Sequence, residues 1–158
     1  MPDWRENRIE SARTGANPMV IAEMDAGYAV MADMQFIPGW CILLPRHPAG
    51  SLNEMALGER SRFLTDMSVL GDAILAVCGT VLGDCPVRVN YDILGNADQY
   101  LHAHVYPRYS WEDPERLSLP VWLYPQTSWS DERTAYREER HGKLKAALRE
   151  YLIGRGAK

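Results

Sequence analysis

Two histidines one residue apart, His102 and His104, stand in the stretch Asn90 to Arg108, N-Y-D-I-L-G-N-A-D-Q-Y-L-H-A-H-V-Y-P-R. Leu101, Ala103 and Val105 alternate with His102, His104 and Tyr106, a period of two that predicts an extended chain. On a strand, successive side chains point to opposite faces. The apolar set then faces a core, while Tyr100, His102, His104 and Tyr106 line the other face. Pro107, which has no N–H for a ladder, is expected to end the run. Two imidazoles about 7 Å apart on one rigid face allow three readings. They form a satisfied polar pair, or two ligands of a zinc site, or a nucleophile with its helper. The metal reading needs a third ligand; neither His47 nor His141 has a matching pattern around it, and Asp92 could contribute but nothing marks it. For the third, neutral imidazole is a good nucleophile near pH 7, because its ordinary pKa is about 6.5. Attack on phosphorus splits one hard displacement into two easier ones. It requires one ring nitrogen free and the proton of the other held by an acceptor.

The elements that must position this strand are legible in outline. Residues 4–13 read as a short helix, stopped by Gly15, Asn17 and Pro18. Met19–Glu23 and Tyr28–Ala32 read as strands around an Asp25-Ala26-Gly27 turn. Cys41–Leu44 reads as a central strand buried on both faces. Leu57, Phe63, Leu64, Met67, Leu70, Ile74, Leu75 and Cys78 fit one stripe of a long helix, with Asn53 as its N-cap and Gly79 as its stop. Residues 87–93 alternate as a half-buried strand. The order β-β-β-α-β-β predicts an α+β fold, an antiparallel sheet of about five strands with one long helix packed on it. Residues 109–129, rich in Pro and Trp, read as an ordered loop. Residues 130–152 read as a surface helix with Leu144, Leu148, Tyr151 and Leu152 inward.

The bulk numbers bound the class. A chain of 158 residues, 46% hydrophobic and 24% charged, predicts a single globular domain over 1–158. A net charge of −4 argues against a general nucleic-acid binder. Three cysteines without a CxxC pair point to a reducing compartment. The polar N-terminus does not read as a signal peptide, and no apolar run approaches the roughly 20 residues of a membrane span. The expectation is a cytoplasmic protein that neither enters a membrane nor binds nucleic acid.

The passage Tyr100-Leu101-His102-Ala103-His104-Val105-Tyr106-Pro107-Arg108, with Asn90 and Gly95-Asn96 upstream, resembles the histidine-triad motif of nucleotide hydrolases and transferases. An earlier block agrees: Asp33, then Pro38-Gly39, then Leu43-Leu44-Pro45-Arg46-His47. The resemblance covers roughly 19–108, with an N-terminal helix before it and an extension, 109–158, after it. It implies His102 as the nucleophile, oriented by the Tyr100 carbonyl, and His104 at the phosphate and bridging oxygen. It further implies Asn90, Gly95, Asn96 and Arg108 near phosphate, Asp33 on the ribose hydroxyls, and Met19, Ile21 and Met34 against the base. The activity implied is cleavage at the α-phosphate of a dinucleoside polyphosphate or nucleoside phosphoramidate through a nucleotidyl-histidine. The alternatives are nucleotidyl transfer through the same intermediate and nucleotide binding without catalysis. A homodimer is implied. No cofactor is, and the only metal it admits is magnesium carried in with a polyphosphate. Three positions depart from the motif. Tyr100 replaces its first histidine, Trp40 follows Pro38-Gly39 where a histidine is usual, and Ala97 lacks a hydroxyl. Tyr100 is the candidate for protonating the leaving group. The tryptophans 40, 111, 122 and 129 read as core or loop anchors, and an Arg after a strand, such as Arg108, also reads simply as a salt-bridged residue.

Overall fold

A computed structural model describes residues 3–158; residues 1 and 2 of the expected domain lie outside it. The strands are β1 (Val20–Glu23), β2 (Gly27–Met31), β3 (Cys41–Pro45), β4 (Arg88–Asp92) and β5 (Ala103–Arg108). They form one five-stranded sheet in the order β1-β2-β3-β5-β4, every pair antiparallel. The helices are α1 (Arg8–Arg13), α2 (Leu57–Leu82), the single turns α3 (Pro114–Leu117) and α4 (Gln126–Trp129), and α5 (Glu138–Ile153). Helix α2 packs across β2, β3, β4 and β5, and α5 packs against α2 and β1. This is the expected α+β architecture, and β3 is the central strand.

The inner stripe of α2 is Phe63, Asp66, Leu70, Ala73, Ile74, Val77 and Cys78, an i, i+3, i+4 series. Leu57, Leu64 and Leu75, expected in that stripe, are exposed. Leu64 and Leu75 directly follow Phe63 and Ile74, and one residue turns a helix by about 100°, which carries them off the face. The ends also differ from expectation. Asn53 belongs to a separate 3₁₀ turn, Leu52–Glu54, closed by Met55 in an extended conformation. Gly79 lies inside the helix, where a Cβ would come within 2.4 Å of the Cys85 sulfur. The stop is Gly83, in the left-handed region at φ 83°. One 18-residue window of this helix reaches a mean hydropathy of 1.5, so α2 is long and apolar enough to cross a membrane. Here it serves as the core helix, and its Asp66 carboxylate accepts the Ala26 amide at 2.6 Å. Burial raises the pKa of that carboxyl.

Elsewhere local side-chain bonds set the boundaries. Helix α1 begins only at Arg8 because the Asn7 side chain caps the Glu10 amide at 3.1 Å. Residues 130–137, expected to be helical, instead form an Asx-type turn, Asp131 accepting from the Arg133 amide at 3.0 Å. A bridge from Ala135 to Met34 follows. Pro107 does not end its strand. Pairing of β5 with β3 stops at Val105, so beyond it β5 has a free side on which a missing N–H costs nothing.

Candidate active site

The histidine strand divides its side chains as the alternation predicts. Leu101, Ala103 and Val105 are fully buried in the main core. His104 pairs across the sheet with Asp92 and with Ile42, and Tyr106 pairs with Asn90. Directly opposed residues share a face, so Asn90, Asp92, His104 and Tyr106 lie on one surface. The rings of Tyr100, His102, His104 and Tyr106 follow one another along it, with centroids 4.8, 4.8 and 5.5 Å apart.

The ring of His102 is fixed. Its Nδ1 lies 2.8 Å from the carbonyl oxygen of Tyr100. A carbonyl only accepts, so Nδ1 carries a proton, and in the neutral ring the lone pair lies on Nε2. A cavity of about 260 Å³ opens beside this residue, lined by Gly50, Ser51, Asn53, Ile93 and Gly95. Gly95 adopts φ 64°, a left-handed conformation that glycine enters without strain. Asn96 is exposed beside it.

His104 packs against both Trp40 and Tyr106, and its Nδ1 is buried without a partner. Burial, reinforced by His102, pushes its pKa down to about 3, so the ring is neutral at pH 7. Tyr100 stays protonated, since burial raises its phenol while Arg8 partly offsets the rise. Trp40, the residue in place of a histidine, is 4% exposed and anchors a second apolar cluster with Ile37, Tyr106, Tyr109 and Val121. Phe36, Tyr124 and Trp129 close over that cluster, Trp40 lying 5.3 Å from Trp129. Trp111 and Trp122 are about half exposed.

Arg108 is not placed to meet a phosphate. Its side chain is 1% exposed and all its donors are occupied. Nε and Nη2 bond Glu112 at 3.1 and 3.0 Å, and Nη2 also bonds the Arg116 carbonyl at 2.7 Å. Nη1 bonds the Leu119 carbonyl at 2.8 Å and Asn90 Oδ1 at 2.7 Å. Arg108 thereby orients Asn90, whose amide nitrogen is left as the available donor. Ile21 is also misplaced by the sequence reading. A register shift between Val20 and Ala22 breaks the alternation of β1 and turns Ile21 into the core with no exposure. Met19 is buried as well, whereas Met34 is half-buried in the bridge to Ala135.

Asp33 is partly exposed, and both its oxygens are engaged by Arg8. Nothing in the sequence pairs residues this far apart. Asp92, considered in the sequence only as an unmarked metal ligand, takes a different place here. It faces His104, has a buried oxygen without a partner, and its carboxyl pKa is raised by burial despite Arg108 nearby. Its alternation with Asn90 is the signal that could have found it once strand pairing was known. Among the described residues no group of three or more His, Cys, Asp or Glu side chains is placed to hold a metal ion.

A five-stranded antiparallel sheet in the order β1-β2-β3-β5-β4, with α2 and α5 packed on it and His102 and His104 at its β5 strand, is the histidine-triad fold. Solved structures with it include a histidine triad protein from Marinobacter aquaeolei, TM-score 0.65 at 24% identity over 90% of this chain and 93% of that one. A hypothetical histidine triad nucleotide-binding protein from Sulfolobus tokodaii gives 0.64 at 12% over 92% and 91%. Diadenosine triphosphate hydrolase from Plasmodium falciparum gives 0.52 at 12% over 86% and 77%. No protein-family model and no curated protein matches the chain.

Proposed function

We propose that this protein is a nucleotide hydrolase acting at the α-phosphate of a dinucleoside polyphosphate or nucleoside phosphoramidate. The observation that carries the reading is the His102 Nδ1 bond to the Tyr100 carbonyl, which leaves Nε2 as the unbonded nitrogen of a ring that lines a cavity. In the first step Nε2 forms a bond to phosphorus and the bond to the leaving oxygen or nitrogen breaks, its electron pair departing with the leaving group. The phosphorylated ring gains positive charge, which the carbonyl facing Nδ1–H stabilises. The Tyr100 phenol supplies the leaving group with a proton. Water then attacks phosphorus and passes a proton to the Tyr100 phenolate, the P–N bond breaks with its electron pair returning to Nε2, and the nucleoside monophosphate leaves with His102 and Tyr100 both restored. The Asn90 amide and the Gly95 turn receive phosphate oxygens. Neutral His104 contributes a hydrogen bond rather than a charge.

The test is an acid-quenched reaction with a dinucleoside polyphosphate, followed by intact mass measurement. The wild-type chain should carry one nucleoside monophosphate, and His102→Ala should lose both adduct and turnover, by several orders of magnitude. Binding with neither adduct nor turnover sinks the hydrolase reading, and capture by added phosphate instead of water identifies a transferase. We also propose that two copies pair along β4, the end strand of the sheet, where Tyr91 and the preceding Val87 are exposed. Sedimentation equilibrium giving a monomer at micromolar concentration would refute the pairing.

A further inference from the structure

Asp92 Oδ2 and His104 Nδ1 are both buried without a partner, and they belong to directly opposed residues of β4 and β5. A buried polar atom left unpaired costs stability, so its retention calls for a reason. Opposed residues on antiparallel strands have Cβ atoms about 4.5–5.5 Å apart. The carboxylate therefore stands beside His104, whose ring centroid is 4.8 Å from that of His102. Asp92 also lines a cavity of about 290 Å³, together with Arg88 and Asn90 from the same face of β4 and residues 117–120 of the extension. Along the face, the row formed by His104 and Asp92 follows His102 and leads to this second cavity, away from the one that His102 itself lines.

The cations around this row are already engaged. Arg108 is near enough to favour the charged form of Asp92, but its donors go to Glu112, Asn90 and two carbonyls. Arg8 is bound to Asp33, and the His104 ring is neutral. Arg88 is exposed, where water and salt screen it. The two substrate classes differ at the atom that departs. The bridging nitrogen of a phosphoramidate bears an N–H, and the departing amine keeps an N–H after cleavage. The bridging oxygen of a polyphosphate offers only lone pairs and is followed by a further charged phosphate. An ionised carboxylate accepts hydrogen bonds and donates none. It satisfies the first leaving group and repels the second.

We propose that Asp92 selects the leaving group: it accepts a hydrogen bond from the departing nitrogen of a nucleoside phosphoramidate and repels the phosphate chain of a dinucleoside polyphosphate, so that the site takes P–N bonds in preference to P–O–P bonds. This rests on the hydrolase reading above. The experiment measures kcat/KM, in the adenosine and guanosine series, for three substrates: an N-alkyl nucleoside 5′-phosphoramidate, a dinucleoside triphosphate with and without magnesium, and the p-nitrophenyl ester of the nucleoside monophosphate. The proteins are the wild-type chain, Asp92→Asn and Asp92→Ser, each checked by thermal melting. The wild-type chain should prefer the phosphoramidate to the triphosphate by about tenfold or more, the scale of one hydrogen bond to a charged group. Either variant should lower that ratio by about tenfold or more, and Asp92→Asn further than Asp92→Ser, since its amide can donate to a phosphate oxygen. A merely structural role would lower both rates together and leave the ratio alone. An unchanged ratio in a variant that melts as the wild type does overturns the inference alone. So does a wild-type chain that turns over the p-nitrophenyl ester but prefers the triphosphate, including a preference that appears only with magnesium and is lost in Asp92→Asn, which would make Asp92 a ligand of the substrate's metal. Turnover of none of the three substrates by the wild-type chain overturns it together with the hydrolase reading.

Discussion

Arg108→Met should cost stability and leave Asn90 Oδ1 without its partner. The side chain is 1% exposed, and that of its partner Glu112 is fully buried. Five N–H donors meet Glu112, Asn90 and two backbone carbonyls, so none is free for a ligand. Breaking a buried pair by removing one partner costs about 3–5 kcal/mol, because the other charge is left uncompensated. Glu112 keeps the Tyr109 amide at 2.7 Å and the Tyr124 hydroxyl at 2.6 Å, which places the expected loss toward the lower end, about 3 kcal/mol. Against a typical total of roughly 5–15 kcal/mol, such a loss is large. Urea unfolding at pH 7 measures it as a lower midpoint at unchanged slope. Arg108→Met with Glu112→Gln should recover part of the loss, since the orphan charge is gone. If Arg108→Met instead melts within about 1 kcal/mol of the wild type while KM rises sharply, Arg108 is a phosphate ligand and the burial argument fails.

Three further outcomes follow from the same geometry. Tyr100→Phe should lower kcat about a hundredfold for substrates with poor leaving groups and spare those with good ones; equal losses across a leaving-group series would remove the phenol from proton transfer. His104 has a folded pKa near 3 against about 6.5 when unfolded, so the unfolded chain takes up its proton first as pH falls. Its contribution to stability is complete above pH 6.5 and declines below it, by about 2 kcal/mol at pH 5. Comparison of urea midpoints at pH 7 and 5 should show a smaller drop for His104→Asn than for wild type, and identical drops would contradict a buried neutral ring. Gly83→Ala forces a Cβ into φ 83° and should cost about 1–2 kcal/mol in thermal or urea unfolding, whereas an unchanged midpoint would mean the helix end relaxes freely.

The sequence carried the face of β5 and the fold class because both rest on local periodicity. Alternation around His102 and His104 sorts side chains by side, and two motif blocks in order bring the strands together. What it concealed was long-range. Arg108 looks the same in sequence whether it meets solvent, phosphate or a buried Glu112, and only the fold of residues 109–120 decides. The register shift that turns Ile21 inward leaves no mark in composition. Arg8 meets Asp33 through the docking of α1, for which no periodic signal exists. The ends of α2 slipped because Asn53 and Gly79 have the right residue types for caps while Ala56 and Gly83 have the right backbone.

The short ladder joining 33–35 to 134–136 ties the motif loop to the segment that leads into α5. The Gln35 and Tyr136 amides each bond across it at 2.7 Å. Their hydrogens should therefore exchange with solvent in a single opening event and show matched protection. The extension is then part of the same cooperative unit as the loop that bears Asp33. Any event that loosens residues 130–137, including a proteolytic cut there, would be felt first as a loss of order at Asp33 rather than as unfolding of the sheet.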